Sequence, residues 1–156
     1  MGSAELQFFQ WQDEEASVND RSAVTHVEYG ERTMLFLADL ETDGLHALME
    51  QAPSGFLKTE IIKHPHHGLT LLPDEYLELS GVRMSIITNG KRVTTTINQM
   101  HHSGVNPVLT ELGYVHLATD GQLWFAEQLT NLTQVSQTFH GAMTEKESWT
   151  VEEEDQ

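Results

Sequence analysis

The chain has 156 residues, about one domain's length, and 38% of them are hydrophobic, enough for one modest core. Its 24 acidic residues against 8 basic ones give a formal charge of −16. A polyanionic surface repels phosphate backbones, so nonspecific nucleic-acid binding is not expected. There is no cysteine, which rules out disulfides and thiolate metal sites and leaves His, Asp, Glu or water as metal donors.

In chain order, Leu6 to Trp11 is apolar and aromatic and reads as an edge strand, broken by Asp13-Glu14-Glu15. No apolar run of signal-peptide type opens the chain, and no segment is long enough to span a membrane as a helix. Asn19-Asp20-Arg21-Ser22 is turn chemistry. Residues 23–28 and 33–38 flank Tyr29-Gly30-Glu31-Arg32 and predict a hairpin. Its second strand is apolar on both faces, so a central place in the sheet is expected. Asp39 ends that strand, and Thr42-Asp43 offers an N-cap to a helix with Leu45, Leu48 and Met49 on one face.

A buried strand over residues 57–62 leads into Lys63-His64-Pro65-His66-His67-Gly68. Pro73-Asp74-Glu75 opens a short helix carrying Tyr76, Leu77 and Leu79. Residues 82–88 form another apolar strand, stopped by Asn89-Gly90, and a short helix follows with Ile97 and Met100 inward. Residues 114–118 and 122–126 alternate around Asp120-Gly121, a two-residue type I′ hairpin signal. Residues 128–156 are polar and acidic, ending in Glu152-Glu153-Glu154-Asp155, and read as a weakly ordered tail or a covering element. The order of elements predicts an α/β fold with a mixed sheet and short flanking helices.

Two strand ends carry chemistry. An imidazole-rich turn at the mouth of a strand suits a metal, because neutral imidazole is the commonest side-chain ligand and a strand end fixes its aim. Asp39 ends the neighbouring strand, and a strand–helix–strand connection brings successive strand ends to the same side of a sheet. Carboxylate and imidazole together suit zinc, manganese or iron. The competing readings are a helix-capping Asp39 and a polar loop that happens to be rich in histidine.

The Asn19-Asp20-Arg21-Ser22 turn, the hairpin ending in Phe36-Leu37-Ala38-Asp39-Leu40, the Lys63–Gly68 turn, the strand over 82–88 and the Asp120-Gly121 hairpin together resemble the C-terminal half of the metallo-β-lactamase fold. The similarity is to the branch that holds the C-terminal domain of ComEC-type competence proteins. It implies that residues 1–127 form half of an αββα sandwich, followed by the tail from 128. It implies that Asp39 is a metal-bridging carboxylate and His66 a late metal ligand, with His67 as the second choice. Lys63 matches a recurrent lysine, and Asn19 and Ser22 match the turn; these three would support the site without touching the metal. His64 has no family counterpart and would either support the site in the same way or be exposed.

The departures bear on function. Gly-Asp of the family pattern is Ala38-Asp39 here, and the Ser after His-His-Gly is Leu69. The family's first metal motif, His-x-His-x-Asp-His, is absent. His26, His46, His101, His102, His116 and His140 do not rebuild it. The expectation is a contribution of Asp39 and one histidine to a dinuclear site for hydrolysis of a phosphoester, ester or amide. Such a site lowers the pKa of a bridging water. The chain alone would be inactive. A non-catalytic binding or assembly module on the same scaffold is the alternative, and an unrelated acidic α/β domain with a His-rich loop is the third. Half a sandwich also leaves a sheet face to cover, by a missing N-terminal half, by a second copy, or by residues 128–156.

Overall fold

The computed structural model describes residues 2–129 in full and the backbone of 134–140. The strands are β1 (Glu5–Phe9), β2 (Val24–Tyr29), β3 (Arg32–Phe36), β4 (Ile61–Lys63), β5 (Met84–Ile87), β6 (Asn106–Leu109), β7 (Tyr114–Thr119), β8 (Leu123–Leu129) and β9 (Gln134–His140). The helices are α1 (Thr42–Gln51), α2 (Asp74–Ser80) and α3 (Thr94–His102). β1 to β6 form one sheet in sequence order, and β7, β8 and β9 form a second. The first three strands pair antiparallel, and β3, β4, β5 and β6 run parallel. Each parallel step is a strand–helix–strand crossover to the adjacent strand. The fold is therefore α/β with a mixed sheet. Among the described residues no helix is long and apolar enough to cross a membrane.

Alternation along the strands sends two sets of side chains to opposite faces. On one face Val24, Leu35, Leu37 and Ile62 pack with Leu45 and Leu48 of α1, Tyr76 of α2 and Met100 of α3. On the other face Met34, Ile61, Met84 and Ile86 pack with Trp124 and Ala126 of β8, and with Val115 and Leu117 of β7. All four residues of β5 are buried, as a strand covered on both faces requires.

Among the described residues the second face is thus covered within the chain, by the β7–β8 hairpin. One charged residue ties the two sheets. Glu60 accepts 2.8 Å hydrogen bonds from Arg32 Nη1 through Oε1 and from Trp124 Nε1 through Oε2. At the hairpin tips Glu31 N–H donates to Gly121 O at 2.8 Å. A Cβ on Gly30 would stand 2.5 Å from that oxygen, so this approach needs glycine. Among the described residues the cover is incomplete toward β1, where Leu6 and Phe8 are 55% and 65% exposed.

The local differences from expectation have physical causes. β6 escapes sequence reading because Pro107 argues against a strand, yet an edge strand tolerates a missing donor. The strand expected over 57–62 narrows to Ile61–Lys63, because Phe56 and Lys58 donate backwards to Pro53 and Gly55 in successive turns. The β2–β3 connection shrinks to Gly30-Glu31, since Tyr29 pairs with Arg32. The β7–β8 connection instead widens to residues 120–123, since Thr119 pairs with Trp124. There the Asp120 carboxylate accepts the N–H groups of Gln122 and Leu123, both at 2.8 Å, which also holds its pKa below the ordinary value. Leu79 is exposed, while Tyr76 carries the inner face of α2. β8 runs past residue 128 and pairs with β9, so the expected tail begins inside a sheet. Residues 130–133 and 141–156 lie outside the described residues.

Candidate functional site

The site forms where β3 and β4 end side by side. Leu37 N–H donates to Lys63 O, extending the parallel ladder by one bond, and Leu37 is fully buried. Ala38 then turns into the left-handed region, φ 50°, which lifts Asp39 off the sheet into a half-exposed position. Leu40 N–H donates back to Leu37 O and closes the turn. A non-glycine residue at positive φ is held there by its surroundings. Here Ala38 O accepts from both His66 N–H at 3.1 Å and Lys63 Nζ at 2.7 Å.

After β4 the chain passes through buried His64 and Pro65 into His66 and His67, both left-handed, φ 44° and 53°. Gly68 follows at φ 87°, where a Cβ would stand 2.7 Å from Ile87 Cγ2. Two consecutive left-handed residues turn the imidazoles in different directions. His66 Nδ1 stands 3.5 Å from Glu41 Oε1. His67 Nε2 stands 3.4 Å from Asp39 Oδ1. The imidazole beside the strand-end carboxylate is therefore that of His67.

The far nitrogen of His67, Nδ1, is 3.0 Å from both Thr88 O and Thr88 Oγ1, and Asn89 Nδ2 donates to His67 O at 3.2 Å. Two arrangements satisfy this ring. Nδ1–H donates to Thr88 O, leaving an Nε2 lone pair toward the Asp39 carboxylate, which then needs a proton or cation between them. Alternatively the Thr88 hydroxyl donates to Nδ1, and Nε2–H donates toward Asp39. In either case Thr88 fixes the ring, as partners of ligating imidazoles commonly do.

Lys63 reaches the same carboxylate, with Nζ 3.4 Å from Asp39 Oδ1. Burial pushes its pKa below the usual lysine value, opposed by the charge and hydrogen bond of Asp39. His64 faces away from this cluster. It is fully buried, with Nδ1 2.8 Å from Ser85 Oγ and Nε2 3.0 Å from Thr70 O. Burial lowers its pKa to about 4, against the Thr70 hydrogen bond and with a smaller push from the Lys63 charge. It works as a neutral bridge between two elements.

The Asn19–Ser22 turn reaches the site through Glu41. Asn19 Nδ2 donates to Glu41 Oε1 at 3.0 Å, and Ser22 closes the turn with its N–H on Asn19 O. Asp20, not singled out in the sequence, does more. Its Oδ1 accepts the N–H groups of Glu41 at 2.8 Å and Gly44 at 2.9 Å, so it caps α1 across the fold. Thr42 and Asp43 do not serve as side-chain caps of that helix. The signal for Asp20 was present as turn chemistry, but its partner lies 24 residues away.

The remaining histidines stay apart. His26 is buried against Lys58 O, and His46, His101 and His102 are exposed on helices. His116 pairs with Glu127 on the outer face of the second sheet. His140 falls in β9, outside the described side chains.

Two ligands on one tetrahedral zinc stand about 3.3 Å apart, given metal–ligand bonds near 2.0 Å. The Asp39–His67 separation matches such an edge. Among the described residues no group of three or more His, Asp or Glu is placed to hold a metal ion. The donors present fit one edge of a metal site and do not close one. No protein-family model matches this chain, and no curated protein sequence matches it.

Proposed function

We propose that this chain is one half of a metallo-β-lactamase-like hydrolase domain, supplying Asp39 and His67 as two donors of a metal site whose other ligands lie elsewhere. The observation that carries the reading is the 3.4 Å approach of His67 Nε2 to Asp39 Oδ1 at the ends of adjacent parallel strands. The resemblance supplies the rest: an Asp at the hairpin end, a Lys–His–His–Gly turn one crossover later, and helices on one side of a sheet that faces a second sheet. Asp39 is the bridging carboxylate in this reading, and His66 sits beside it as a partner of Glu41.

On its own the chain is not a hydrolase in this reading, because an open catalytic zinc normally has three protein ligands and this site offers two. Calorimetric titration with zinc tests it. The expected result is weak binding that Asp39→Ala and His67→Ala each remove, with His66→Ala milder. Tight binding that survives Asp39→Ala and His67→Ala overturns the assignment. So does metal-dependent turnover by the pure chain on ester, amide or phosphodiester probes.

A further inference from the structure

A cleft of about 380 Å³ opens between the two sheets, beside the strand ends that carry Asp39 and Lys63. Its volume falls within the range of small-molecule sites, toward the small end. Met34, Phe36, Leu117 and Trp124 supply apolar walls, and Lys63 and Thr88 lie in the lining. Phe36, Lys63 and Ile86 occupy one row across β3, β4 and β5, so Lys63 shares the face that bounds the cleft. Phe36 remains 39% exposed there, although the row it belongs to is otherwise largely covered.

The polar end of this cleft is a donor, and a nearly saturated one. A lysine ammonium has three N–H groups. Ala38 O and Asp39 Oδ1 take two of those of Lys63. The Thr88 hydroxyl lies 3.0 Å from His67 Nδ1. One N–H of Lys63 is left, enough for a single acceptor. An anion at that place would meet the Asp39 carboxylate and a chain of formal charge −16, so charge complementarity favours a neutral acceptor.

We infer that the cleft between the sheets binds the apolar body of a small neutral ester or amide, with its carbonyl oxygen accepting from Lys63 beside Asp39. A single aromatic ring or branched alkyl group suits the walls. The inference rests on the proposed hydrolase reading for its reaction, and names apolar carbonyl compounds rather than phosphoesters as the class this face accepts. Binding itself needs no metal, so the two readings fail separately.

The test is metal-free titration of the full chain with N-benzylacetamide, a ring with one neutral carbonyl, and with phenylacetate, the same ring with an anion. Methyl and indole NMR signals report where each binds. The expected result is saturable shifts at the Met34 methyl and the Trp124 indole N–H, with phenylacetate weaker. Lys63→Met should weaken N-benzylacetamide about tenfold, the loss of one charge-assisted hydrogen bond. Val115→Phe, which narrows the cleft without touching Lys63, should weaken it as well. Shifts confined to the Leu6 methyls on β1 would overturn the inference. So would equal binding of phenylacetate, or undiminished binding in a folded Lys63→Met variant.

Discussion

His67 Nε2 faces Asp39 Oδ1 at 3.4 Å, while the adjacent His66 is turned to Glu41. That division follows from backbone conformation. Two successive residues in the left-handed region rotate neighbouring side chains apart, and the Ala38 carbonyl pins the turn through the His66 N–H. The Asp39–His67 relationship therefore depends on Ala38, His66 and Gly68 as much as on the two donors.

The left-handed conformation of Ala38, φ 50°, implies stored strain. Glycine removes the Cβ clash at such a position, at some cost in unfolded-state entropy. Ala38→Gly should raise stability by about 0.5–1 kcal/mol, read from urea denaturation. A loss of similar size would show that Cβ packing, not strain, dominates there.

Asp20 caps α1 from a distant turn, and Gly44 makes room for it: a Cβ on Gly44 would stand 2.5 Å from Asp20 Oδ1. Asp20→Ala should cost about 1–2 kcal/mol, the range for a lost N-cap. Gly44→Ala should cost a comparable amount by displacing the same carboxylate, so the double variant should fall short of the sum. Additive losses would separate the two residues.

His64 makes stability depend on pH. Burial holds its folded pKa at about 4, below the 6.5 of an ordinary histidine. The unfolded chain therefore binds the proton first, and the folded state loses stability as pH falls from about 6.5 toward 4. The contribution is on the order of 3 kcal/mol when complete. His64→Gln should flatten the stability profile in that window relative to the parent chain. An unchanged slope would place the titration elsewhere.

Glu60 joins the sheets by accepting from Arg32 and Trp124. Glu60→Gln should cost about 3 kcal/mol, because it leaves the buried Arg32 guanidinium with only the exposed Glu31 carboxylate, at 3.4 Å. Trp124→Phe, which removes one hydrogen bond and keeps most of the ring, should cost nearer 1 kcal/mol. Denaturant midpoints for the two variants check that order, and a reversed order would assign the junction to the indole.

Much of this arrangement is legible in local pattern. Residues 84–87 are apolar except for Ser85 and form a strand buried on both faces. Pro73 starts α2, and Gly81, left-handed at φ 75°, ends it. What was not legible depends on distant partners. Nothing near Asp20 announces that the N–H groups of Glu41 and Gly44 will donate to it, and nothing near Glu60 announces Trp124. Pro107 disguised β6 because the edge position that tolerates it is a property of the whole sheet. Asp120-Gly121 carries the composition of a two-residue turn, but the Asp120 side chain ties a four-residue loop instead. The choice between His66 and His67 turned on backbone angles that the His-His pair does not encode by spacing.

The central claim is that Asp39 and His67 form one edge of a metal site. Long-range proton–nitrogen NMR of the imidazoles during zinc addition tests it most directly. The account predicts that His67 Nε2 shifts while His67 Nδ1 stays on Thr88, and that Asp39→Asn abolishes the shift. Zinc-dependent shifts at His66 with none at His67, or a His67 shift unaffected by Asp39→Asn, would contradict it.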